Sequence, residues 1–191
     1  MTIILLMQSL VLAQGQGITI DEQAILPYWK NYTQTHASPA RLEEKRDILM
    51  NCLGDHLMIK RAQELGIENT KEFQAEWREA EEEAKARCER ESINSNRCQG
   101  MIESIRKILL TRYVMEKEVV PKIKVKEEEV DQLVYSHRGK KRGKSLDREK
   151  AKLFLVEKNK GEALTSYVRE LMERYHVSID NHALMKLNLS P

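Results

Sequence analysis

What most constrains this chain is how little turn chemistry it holds for its length. Eight glycines and four prolines are spread over 191 residues, too few to close the many tight turns of an all-β sandwich or barrel. Between them run long stretches of Glu, Lys, Arg, Leu and Ala, with charged residues at 32 % and aromatics at 5 %. That composition suits long helices that each bury one stripe and solvate the rest. The expected fold is therefore all-α, an antiparallel helical body with at most short strands. Lys and Arg number 32 against 30 Asp and Glu, a net +2, which makes no global electrostatic case for a nucleic-acid partner.

Local signals divide the chain. The apolar run from Met1 ends in Val11-Leu12-Ala13, small or compact residues where a signal peptidase cuts, so residues 1–13 read as a signal peptide. The alternative is an apolar N-terminal strand or helix. The run is too short to span a bilayer, and no other stretch is apolar enough for stable membrane insertion. Gln14-Gly-Gln-Gly17 reads as a flexible leader, and Thr19-Ile-Asp-Glu22 as a capping box with Thr19 as N-cap. The first helix then runs to about Thr35, bent near Pro27. Ser38-Pro39 is a second helix start, followed by a stripe of Leu42, Leu49, Leu53, Leu57 and Ile59 that Gly66 ends. Thr70 opens a third helix that is densely charged from Glu76 to Glu91, and Ser92 to Asn96 breaks it. The fourth carries Met101, Ile105, Ile108, Leu109, Arg112, Tyr113 and Met115 on one side, as far as Pro121. A short helix follows from Glu127 to Tyr135, then a basic segment over residues 136–145. The last long helix, from about Leu146 to Tyr175, has Phe154, Leu155, Leu164 and Tyr167 on its apolar side, and Val177-Ser-Ile179 reads as a short strand.

Chemistry-bearing residues form no active site. The phosphate-cradling, dinucleotide-binding and zinc-protease motifs are absent. The five histidines are scattered, and no metal site or cofactor is expected. Cys52 and His56, four residues apart on one helix, could in principle make a thiol–imidazole pair; a core thiol beside a partly buried ring is the simpler account. Cys88 and Cys98 flank a polar loop between two helices and are candidates for a disulfide that staples the hairpin; three independent thiols are the alternative. Arg138, Lys140, Lys141, Arg142 and Lys144 could meet anionic groups, or serve only as a soluble connection. No aromatic is interleaved there for stacking on single-stranded nucleic acid.

The order of these elements resembles the chaperone part of the SurA-like and PrsA-like family, extracytoplasmic relatives of parvulin-type prolyl isomerases. Gly17-Ile-Thr-Ile-Asp-Glu22 is similar to the opening of that family's first helix, and Glu44 to Ile67, closing in Ala62-Gln-Glu-Leu-Gly-Ile67, to the helix that follows. Ile105 to Tyr113, Val120 to Val130 and Tyr135 resemble the segment leading out of the N-domain. Leu164 to Asp180 resembles the returning C-terminal helix and strand. The likeness spans residues 17–180. It departs in one place: the family holds one or two whole parvulin domains where this chain has only Ser136 to Ser145, too little for a domain with its own core.

The resemblance implies a helical chaperone domain over 17–135, a basic linker at 136–145, and a helix and strand at 146–180 that pack back and complete the same domain. It implies a periplasmic or otherwise extracytoplasmic, ATP-independent holdase without prolyl-isomerase activity. Its partners would be unfolded or extended client chains, with outer-membrane proteins one candidate class, and a homodimer is a further candidate. The alternative is a helical adaptor or assembly subunit for one specific partner. Flexible thioethers and aromatics suit varied clients, which makes Tyr28, Trp29, Met50, Met58, Met101 and Met115 the candidate client contacts.

Overall fold

The structure is a computed structural model and describes residues 10–35, 40–138 and 147–187. It is mostly helical with short strands only. Among the described residues there are seven α-helices and one three-stranded sheet. The chain divides into two compact units, one formed by Met1–Leu65 with Val168–Pro191, the other by Gly66–Tyr167.

The first unit is organised by strand β1, Val11–Gly15, which lies between β2, Ile18–Asp21, and β3, Ser178–Ile179, both antiparallel to it. Gln16 and Gly17, read from sequence as part of a flexible leader, are the two-residue turn of the β1–β2 hairpin, with Gly17 at φ 65°. A left-handed residue is what so short a hairpin turn needs. Leu12, Ala13, Ile18 and Ile20 are buried. The run that suits cleavage after Ala13 is thus strand from Val11 onward, and a cut there would remove two core side chains.

Thr19 is not a helix cap. It sits exposed in β2 opposite Gln14, because the buried pair Ile18 and Ile20 imposes a strand period on it. Asp21 takes the role: its Oδ1 accepts from the N–H groups of Gln23 at 3.0 Å and Ala24 at 2.9 Å, starting α1, Glu22–Thr35. Helix α1 buries Ile25 and Trp29 and packs on α2, Leu42–Glu64. Glu44 reaches back to accept the Arg41 N–H at 2.6 Å as α2 begins; Ser38 and Pro39, the start expected from sequence, lie outside the described residues. The buried stripe of α2 is Ile48, Leu49, Cys52, Leu53, Leu57, Met58 and Ala62. Leu42, expected in it, is exposed.

The C-terminal end of the chain packs back into this unit. Helix α6, Arg148–Arg174, closes with His176 at φ 51°, where the N–H groups of His176 and Val177 bond the carbonyls of Glu173 at 3.1 Å and Met172 at 2.8 Å. The Tyr175 carbonyl then accepts the Gln16 N–H at 2.8 Å. The Tyr175 hydroxyl lies beside Glu64, and burial together with that carboxylate pushes its pKa up to about 12. Asp180 caps α7, Asn181–Lys186, its Oδ1 accepting the Ala183 N–H at 2.9 Å. Lys45 Nζ donates to the carbonyl of Leu187, the C-cap of α7, at 2.6 Å.

In the second unit, Gly66 at φ 61° turns the chain into a short 3-10 turn, and Thr70 Oγ1 accepts the Phe73 N–H at 3.3 Å to start α3, Lys71–Arg90. Asn94 Oδ1, accepting the Arg97 N–H at 2.9 Å, starts α4, Ser95–Val114. The two form a hairpin joined near its turn by a Cys88–Cys98 disulfide, Cα to Cα 5.8 Å. At the other end Phe73 meets Tyr113 edge-on at 5.5 Å, and Glu76 accepts from both Arg112 and the Tyr113 hydroxyl. A π turn and a 3-10 turn through Pro121 end α4. Helix α5, Glu127–Arg138, then shares a small core of Val130 and Val134 with Ala151 and Leu155 of α6. Arg148 pairs with Glu127 at 2.5 Å and with Asp131.

Two measurements check this account. A Cβ on Gly15 would lie 2.7 Å from the Tyr175 carbonyl oxygen and 2.6 Å from Val177 Cγ2, so Gly15→Ala should lower the urea unfolding free energy by about 1–3 kcal/mol. The Arg112 hydrogen bond holds the Glu76 carboxyl below its usual pKa. The stabilisation is therefore present above the unfolded-state pKa of Glu and lost as pH falls through the lowered native value. In an acid titration of the unfolding midpoint, Arg112→Met should show a shallower loss on that acid side than the wild-type chain.

Candidate functional site

The residues named from sequence as client contacts separate by burial. Trp29 and Met58 are each 4 % exposed and belong to the core of the first unit: Trp29 stacks on Tyr32 at 5.5 Å, and Met58 lies in the buried stripe of α2. Neither offers a surface to a client. Tyr28 is half-buried and donates to Asp55 Oδ2 at 2.5 Å. Burial, then the Asp55 carboxylate, raises its pKa well above the ordinary phenol value. That makes Tyr28 a strut between α1 and α2. Met50 is half-buried on α2.

Met101 and Met115, both half-buried, flank helix α4, Met101 within it and Met115 at its C-cap. The helix has two apolar arcs, not the single side expected. Ile102, Leu109, Leu110 and Val114 are its buried residues. Met101, Ile105, Ile108 and Met115 fall on a second arc centred roughly 150° away around an ideal helix. Ile108 is 64 % exposed, Ile105 is half-buried, and Ser104 and Thr111 border the arc. Sequence periodicity merged the two arcs because residues such as Ile108 and Leu109 are neighbours in number yet about 100° apart around the axis. Arg112, inside the second arc by position, is tied to Glu76.

Three further apolar side chains are exposed on the α5–α6 segment, Tyr135 at 79 %, Leu153 at 68 % and Phe154 at 57 %. Phe154 was expected on the apolar side of α6; Ala151 and Leu155 take the core positions there instead. A cleft of about 420 Å³ lies beside Tyr135, lined also by Asp131 and Arg148. Arg138 is the last residue of α5, and Lys140, Lys141, Arg142 and Lys144 lie outside the described residues.

The one sequence-suggested nucleophile pair is enclosed. Cys52 is 0 % exposed and its thiol points to the Ala24 carbonyl at 3.4 Å. His56 Nδ1 is 2.8 Å from the Cys52 carbonyl and 3.8 Å from Sγ, so the ring serves the backbone and no substrate reaches the sulfur. Among the described residues, no group of three or more His, Cys, Asp or Glu could hold a metal ion, and no helix is long and apolar enough to cross a membrane.

The fold and this surface together define a mostly helical protein with a small sheet and an outward apolar helix face. No protein-family model, curated protein or solved structure matches the chain.

Proposed function

We propose that the protein is an ATP-independent holdase that binds extended apolar segments of unfolded chains, outer-membrane proteins among the candidate clients, on the second apolar arc of α4. The observation that carries this reading is that arc itself. A helix already buried through Ile102, Leu109 and Leu110 gains nothing for folding from a 64 % exposed Ile108. Two flanking methionines supply the adaptable lining that varied side chains need. The sequence resemblance to SurA-like and PrsA-like chaperones favours the same function, and it gives the chain no parvulin domain with which to isomerise proline.

The location we propose is extracytoplasmic. A disulfide at Cys88–Cys98 fits an oxidising compartment, since such bridges do not persist against cytosolic thiols. With Leu12 and Ala13 buried in the sheet, removal of a leader falls before the strand in this proposal and not after Ala13.

A second reading rests on spacing. Met101, Ile105, Ile108, Arg112 and Met115 alternate steps of four and three, the seam that accepts another helix. On that reading the arc docks one dedicated partner or a second copy.

Light scattering from several unrelated, chemically unfolded clients diluted into buffer separates the two. Added protein should suppress aggregation in proportion to its amount, with prolyl isomerisation at background. Ile108→Glu should abolish suppression while shifting stability by no more than about 0.5 kcal/mol, as an exposed substitution does. Undiminished aggregation at several-fold excess, together with a concentration-dependent increase in mass that Ile108→Glu removes, would replace the holdase with the self-docking reading.

A further inference from the structure

The end of the α3–α4 hairpin is long, charged and thinly packed. From Glu79 to Gly100 only Ala84 and Cys88 are buried, and a Cβ on Gly100 would meet nothing within 4 Å. The ion pairs there, Lys85 with Glu81 at 2.7 Å and Arg87 with Glu91 at 2.8 Å, are exposed and local, a class that adds little. The turn carries Ser92 in the left-handed region, at φ 50°, which costs a residue with a Cβ some strain. Helical ends of this kind are marginal by themselves in water. What links them is the Cys88–Cys98 bridge.

From this we infer that the bridge is a thiol-responsive latch: reduction by a dithiol melts the hairpin end, about residues 84–101, while the Phe73–Tyr113 end stays folded. The chemistry is thiol–disulfide exchange. A thiolate of the reductant attacks Cys98, half-buried where Cys88 is only 6 % exposed, and forms a mixed disulfide as the Cys88 thiolate leaves. The second thiol of the reductant closes on its own sulfur and releases Cys98. Two electrons and two protons pass to the protein, and the reductant leaves as its cyclic disulfide. Melting reaches Met101, the first member of the outward arc of α4. The consequence for clients rests on the holdase reading; the opening itself does not.

The test is amide hydrogen exchange read by mass spectrometry on the full chain, oxidised, after dithiothreitol, and as the Cys88→Ala/Cys98→Ala variant. In the reduced chain and the variant, exchange over residues 84–101 should rise about 100-fold, the closure entropy of a loop of this size. Exchange around Phe73 and Leu109–Leu110 should hold within about threefold. A bridge that survives dithiothreitol in the folded protein, unchanged exchange at the hairpin end, or a rise spread through the whole unit would each overturn the latch. Aggregation suppression measured on the same samples should fall in the reduced form. Equal suppression in both forms would overturn the control of clients by the latch. No suppression in either form would sink the holdase reading and leave the exchange result standing.

Discussion

The pairing of β1 with strands from both directions along the chain is the constraint on which the first unit depends. β2 follows it after two residues, whereas β3 arrives from the far end of the sequence. Closing that long loop is entropically costly, and few ladder bonds join β1 to β3, through Ala13 and Gln14. Burial offsets the cost: Leu12 and Ala13 on β1, Val168, Leu171 and Tyr175 near the end of α6, and Leu184 on α7 are all enclosed. The absence of a side chain at Gly15 is what lets the Tyr175–Val177 backbone approach. A strand that looked dispensable from its sequence is in fact the middle of the sheet.

The second unit is built on the opposite principle. Its hairpin is local in sequence and needs no long loop closure, so modest burial suffices. Apolar packing gathers at one end around Phe73, Leu109 and Leu110, with Glu76, Arg112 and Tyr113 bracing it. The other end has mainly a covalent tie. A helix in so lean a hairpin has surface to spare, and α4 carries its second apolar arc there.

Burial also separates the candidate contacts in a way residue type does not. Trp29 and Met115 look alike as adaptable apolar surface, yet one is enclosed and the other lies at the edge of an open arc. Cys52 and His56 have the spacing of a reactive pair, but the thiol faces a carbonyl inside the core. In each case the deciding quantity is access to solvent, which depends on elements distant in sequence.

Helix content, the cap at Thr70 and the left-handed end at Gly66 follow from local backbone preferences, and the sequence by itself determined them. It also determined that Cys88 and Cys98 flank a turn. It did not separate Thr19 in a strand from Thr19 as a cap, because a capping box and an alternating Ile-Thr-Ile are both written there. Only the tertiary structure decided between them, by burying Ile18 and Ile20 beside β1. The same holds for the two arcs of α4: periodicity marks which residues are apolar, and only packing decides which arc is covered.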